Sequence, residues 1–156
     1  MAITAEEIER EKKTLPFGWG RFGKTLDRLA EISEPDESLL ASCVALNPSY
    51  QYRPRGVPGG LYNLGTALHQ LTKTTNIVLA CTNRRLIAAG TGGGGAPRDH
   101  VSIPYEGLEI VSREKKAFVL AWPDGQMRIR GAAKQQVPGF LESLAAQALP
   151  AESSPA

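Results

Sequence analysis

The sequence predicts a mainly β (α+β) protein: a seven-stranded antiparallel β-sandwich or partly open barrel, capped by a C-terminal α-helix. Three observations predict it. Short runs of alternating apolar and polar residues recur between turn signals from residue 39 to residue 130, the pattern of strands with one buried face. After Pro138 the period lengthens, and Phe140, Leu141, Leu144, Ala145 and Ala148 fall on one helical stripe. Hydrophobic residues make up 42% of the 156 residues, enough for one core.

The elements follow in order. Thr4 and Glu7 have capping-box spacing, with Ile3 and Ile8 placed as the hydrophobic staple. Glu9 and Lys13 form an i,i+4 pair. The helix they start has few apolar residues, which predicts a loose attachment. Residues 15–23 are a Pro/Gly/aromatic break. Phe22, Leu26, Leu29 and Ile32 then recur at helical spacing, and Ser33-Glu34-Pro35-Asp36 ends that helix. The first strand is expected over residues 39–46, with Asn47-Pro48 as its stop. Asn76–Thr82 and residues 85–89 read as a hairpin joined through Asn83, a residue that tolerates the left-handed turn conformation. Val101, Ile103 and Tyr105 give the fourth strand, Leu108 and Ile110 the fifth, and Phe118, Leu120 and Trp122 the sixth. Pro123-Asp124-Gly125 turns the chain into the seventh, where Met127 and Ile129 alternate with Arg128 and Arg130. Pro138 suits the first turn of the closing helix, and Pro150 stops it. Residues 47–75 are too long for a structureless connection. Within them Leu61, Leu64, Leu68 and Leu71 recur at helical spacing, so an inserted helix is expected. That stripe covers the sheet, docks on a partner or lies on a membrane, and its lack of a basic polar face argues against the last use. The organisation is therefore a helical N-terminal extension (1–33), a β-domain (34–149) carrying the 47–75 insert, and a tail (150–156).

Charge is uneven. Residues 1–40 hold nine acids against six bases, whereas residues 48–134 hold twelve bases against five acids. The excess in the β-region favours anionic partners. Arg128 and Arg130 share the outer face of their strand, and Lys115 and Lys116 lie in a nearby turn. A solvated sheet face is the commoner explanation of such residues.

Several chemistries are absent from the pattern. Gly90, Gly92 and Gly95 fit G-x-G-x-x-G, but Ala96-Pro97-Arg98-Asp99 follows where a dinucleotide site needs a helix. A loop between strands is expected instead. His69 and His100 lack metal-ligand spacing. Cys43 and Cys81 fall inside predicted strands, where burial makes a thiol inert. No catalytic residue, metal or cofactor is assigned. No recognition helix or aromatic-basic strand points to nucleic acid, and nothing marks a small-molecule substrate. The acidic N-terminus is unlike a secretion signal and no apolar stretch approaches a span. A cytoplasmic protein is expected.

Three stretches carry a family resemblance. Pro35-Asp36-Glu37 precedes the first strand; Val78 to Ile87 contains Thr82, Arg85 and Leu86 as a T-x-x-R-L core; and Val101 to Leu108 contains Ile103-Pro104-Tyr105-Glu106. In order and spacing they resemble the bacterial PH-like domain family, the YokE-like group, over residues 34–149. The resemblance implies two packed antiparallel sheets with an open corner plugged by the last helix, and it implies neither an enzyme nor one agreed ligand. It implies a structural Arg85 and an exposed Arg84. It also places Arg53, Arg55 and Lys73 in the connection that supplies headgroup ligands in lipid-binding PH domains. The basic pair such domains carry at the strand ends is missing here, where Leu46-Asn47-Pro48 and Asn76-Ile77 stand. The expected function is protein–protein interaction or self-association. The alternative is peripheral binding of anionic lipid headgroups through the basic loops, at the inner membrane face, and an enzyme is the third and least favoured reading. The candidate binding residues are Arg53, Arg55, Lys73, Arg84, Arg128 and Arg130, and the candidate interaction surface is Leu61, Leu64, Leu68 and Leu71.

Overall fold

One long strand organises the protein. In the computed structural model, which describes residues 2–52, 67–68, 70–72, 76–122 and 125–148, strand β1 runs over Leu39–Tyr52. It is followed by β2 (Asn76–Thr82), β3 (Leu86–Thr91), β4 (Pro97–Ile103), β5 (Glu109–Arg113), β6 (Phe118–Trp122) and β7 (Gly125–Ala132). All pairings are antiparallel, in the order β4-β3-β2-β1-β7-β6-β5. The first half of β1 pairs with β2 from Leu39 to Ala45, and the second half pairs with β7 from Ala45 to Tyr52. One strand thus belongs to both halves of the sheet.

The expected stop at Asn47-Pro48 is corrected by this arrangement. The β2 pairing already ends at Ala45, and the β7 register shifts between Leu46 and Ser49. Pro48 sits in that irregularity, where the N–H it lacks is not demanded by a ladder.

Inward residues of both halves form one apolar cluster. Cys43, Leu79, Leu86 and Ile103 meet Phe118, Leu120, Trp122, Met127 and Ile129 there. The closing helix α3 (Val137–Ala148) adds Val137, Phe140, Leu141 and Leu144 to the same cluster. Phe140 lies 5.8 Å from Phe118, ring to ring. The architecture is a mainly antiparallel β-sheet with a C-terminal helix, compatible with a β-sandwich.

A second cluster lies on the opposite face of β1, β2 and β3. Val44, Val78, Ala80, Ile87 and Ala89 point there, against Ile3, Ile8, Phe22, Leu26 and Leu29. These last come from α1 (Ala5–Lys12), a 3-10 turn (Gly20–Phe22) and α2 (Gly23–Ile32). β3 is buried at every residue, and β2 at every residue but Asn76, because helices cover one face and the β-core covers the other. The capping box of Thr4 and Glu7 forms as expected. The loose attachment does not hold: α1 docks through Ile3 and Ile8, which are buried. Polar ties reinforce it. Ser42 donates to the buried Glu11 carboxylate at 2.7 Å, Thr25 and Thr91 share a buried hydroxyl hydrogen bond of 2.6 Å, and Gln136 Nε2 donates to Thr14 Oγ1 at 2.7 Å. The expected Glu9–Lys13 pair is replaced by Lys12, whose ammonium reaches Glu9 (3.3 Å) and Asp27 (2.8 Å) and so joins α1 to α2.

Candidate functional site

The residues that carried the family resemblance converge on one corner. Arg85 donates from Nε and Nη2 to the two oxygens of Glu37, each at 2.9 Å. Its remaining donors reach Ser102 Oγ at 2.6 Å and the Ile32 carbonyl at 3.0 Å. Thr82 Oγ1 donates to Glu37 at 2.7 Å and accepts the N–H groups of Arg84 and Arg85. The Tyr105 hydroxyl lies 2.7 Å from the Arg85 carbonyl and accepts the Thr82 N–H at 3.1 Å. Asn83 acts through its amide, bonding Ser38 N–H and the Asp36 carbonyl. Glu37 is fully buried. Burial opposes its ionisation, but the donors from Arg85, Thr82 and the Glu34 backbone outweigh burial and hold its pKa below the ordinary value. All these groups satisfy one another, so the corner is a structural lock.

The other candidates are distributed. Arg84 is half-exposed and pairs with Glu34 (3.4 Å) and Asp36 (3.5 Å) at the same corner. Arg128 is partly buried and Arg130 exposed on β7. The Lys116 carbonyl accepts the Ala132 N–H at 2.9 Å, which brings the Lys115-Lys116 turn to that end of β7. Arg128 pairs across from Ser49, whereas the Arg84 corner lies at the Leu39 end of β1. They do not form one site. Arg53, Arg55, Lys73, Leu61, Leu64 and His69 lie outside the described residues. Leu68 and Leu71 are not an exposed surface. They are buried in the cluster that contains Phe140 and Trp122, because the helical turn carrying them, marked by the Thr72 Oγ1 to Leu68 carbonyl bond, lays its apolar face on the sheet.

The thiols follow expectation. Burial pushes Cys43 up to about 12 and Cys81 up to about 11, so neither is a thiolate at neutral pH. The glycine run closes a turn between β3 and β4 and opens no helix: Gly95 N–H donates to Gly92 O, and Gly92 N–H to Ala96 O, both at 2.9 Å.

That turn leads into the site sequence reasoning missed. β4 is the outer strand of its half of the sheet, paired only with β3 among the described residues. A cleft of about 850 Å³ opens along it, lined by Arg98, Asp99 and His100 of β4, by Arg28 of α2, and by Gln70 and Leu71 of the helical turn. Arg98 folds back over Gly92: a Cβ on Gly92 would stand 2.8 Å from its Nε. His100 is half-buried, and burial first, then the charges of Arg85 and Arg28, lower its pKa, so it is neutral at pH 7. The cleft thus offers two guanidinium groups, one carboxylate and a neutral imidazole beside a strand edge that pairs with no further strand among the described residues. The one signal in the sequence was the run Arg98-Asp99-His100, since charges in a strand mark an edge.

Comparison with protein-family models, with curated proteins and with solved structures finds no match. Among the described residues no group of three or more His, Cys, Asp or Glu is placed to hold a metal. Nor is any helix long and apolar enough to cross a membrane.

Proposed function

We propose that this chain is a non-catalytic binding module of PH-like architecture that holds an acidic, extended segment of a partner protein along β4. The observation that carries the reading is the cleft at the β4 edge, with Arg28 and Arg98 on its walls. An edge strand presents unused backbone donors and acceptors, and an added strand is held by them. Charged edges discourage indiscriminate pairing. Two arginines make an acidic strand the complementary one, because guanidinium donors match carboxylate oxygens in pairs. The PH-like part of the reading is supported by seven antiparallel strands, a last helix whose apolar residues join the core, and the meeting of Glu37, Thr82, Arg85 and Tyr105.

The test is binding of a synthetic peptide alternating Glu and Val, whose carboxylates share one face when extended. Isothermal titration should give saturable binding that weakens with added salt. Arg28→Glu and Arg98→Glu should each reduce affinity by about tenfold or more, about 1.4 kcal/mol each. Lys115→Glu, outside the cleft lining, should not. Equal binding by the Arg28→Glu, Arg98→Glu double variant would overturn the assignment. So would a dimer formed through β4 that excludes the peptide.

A further inference from the structure

We propose that the knuckle between α1 and α2 is a membrane-contact point that inserts Phe17 into the interfacial layer of an anionic lipid surface. Phe17 is 106% exposed, while the other exposed large hydrophobics among the described residues, Leu40 and Val111, stand at 38% and 53%. Its exposure is built in. Trp19 N–H donates to the Pro16 carbonyl at 3.0 Å, and Gly18 has φ +88°. This is the frame of a type II turn with glycine at the position requiring positive φ. Phe17 occupies its outer corner. The knuckle is anchored from behind: Trp19 packs on the buried Phe22 ring at 5.8 Å, and Gln135 Nε2 donates to the Thr14 carbonyl at 2.6 Å. A lipid contact here would therefore carry the whole domain with it.

The surrounding charge names the partner. Between Glu11 and Asp27 there is no acidic residue, and there are four bases. Lys12 is engaged with Asp27 and Glu9, whereas Lys13, Arg21 and Lys24 are exposed. Arg21 lies 4.7 Å from the Phe22 ring centroid and its guanidinium reaches the Gly18 carbonyl at 3.5 Å, so a cation sits beside the protruding ring. A single convex aromatic offers little area for a protein interface, which needs on the order of 1,000 Å². It suits the boundary between headgroups and acyl chains, where an apolar ring enters and cations stay with anionic headgroups. Each such cation adds roughly fivefold to partitioning.

The test is co-sedimentation of the full chain with vesicles of phosphatidylserine and phosphatidylcholine, against phosphatidylcholine alone. The protein should bind the anionic vesicles at low salt and be released by high salt. Phe17→Ala should weaken binding about tenfold, Phe17→Trp should preserve it, and Lys13→Glu with Lys24→Glu should abolish it. Phe17 packs on nothing buried, so these variants keep their stability. Lys115→Glu, which lies neither at the knuckle nor in the lining of the β4 cleft, should sediment like the parent, which separates this contact from attraction by net charge alone. Absence of binding to anionic vesicles, or binding unchanged by Phe17→Ala, would overturn the proposal. A Phe17-dependent dimer in light scattering without vesicle binding would also overturn it, in favour of a contact between copies.

Discussion

Arg85 satisfies four acceptors from three different parts of the chain while only 15% of its side chain is exposed. Removing it leaves the buried Glu37 carboxylate without its counter-ion. Breaking a buried pair from one side costs about 3–5 kcal/mol. Arg85→Ala should therefore lower the unfolding free energy by about that amount in urea titration, whereas Arg84→Ala, on the exposed pairs beside it, should cost under about 1 kcal/mol. The same corner sets an acid dependence. Glu37 titrates below its ordinary 4.5 in the folded state. Its contribution is complete above that value and is lost as pH falls through the lowered one. Urea midpoints across the acid range should fall less steeply for Glu37→Gln than for the parent. An unchanged slope would show that other carboxylates govern acid unfolding. Arg85 was readable as structural through the resemblance. Its partner was not, because Glu37 stands 48 residues away and no local pattern links them.

At the scale of elements, the β3–β4 turn separates two roles for glycine. Gly95 has φ +93°, and a Cβ there would meet the Arg21 carbonyl at 2.8 Å. Both backbone strain and a rigid neighbour oppose substitution, so Gly95→Ala should cost about 1–3 kcal/mol. Gly92→Ala meets only the far end of the Arg98 side chain. It should leave the thermal midpoint nearly unchanged while displacing the guanidinium and weakening peptide binding at β4. Equal destabilisation by both would contradict this division. Strand existence was legible from alternation, and the closing helix from its stripe. The end of β1 was not, because Pro48 punctuates a strand only where a ladder needs its N–H. The unbroken apolar run from Ile77 to Cys81 signals a strand buried on both faces, and hence a second covering layer. The cleft was illegible because α2, β4 and the turn around Leu71 meet only through the tertiary fold.

Across the whole molecule, the sheet needs its helical layer. Leu39, Val44, Val78 and Ile87 face α1 and α2 and are each at most 1% exposed. Uncovering four such side chains costs about 6–12 kcal/mol, comparable to the whole stability of a typical domain, about 5–15 kcal/mol. A chain beginning at residue 34 should therefore be unfolded or aggregated by circular dichroism and light scattering. A cooperative thermal transition matching the parent would show the helices to be dispensable. That layer also carries both proposed contacts, since α2 supplies Arg28 to one wall of the cleft and the knuckle before it carries Phe17. The most direct measurement is an NMR titration of the labelled full chain with the alternating Glu–Val peptide, followed by amide exchange. The account predicts shift changes concentrated in Pro97–Ile103 and around Arg28, with new exchange protection along β4. Shifts confined to β7 and the Lys115-Lys116 turn, or no protection gained on β4, would contradict it.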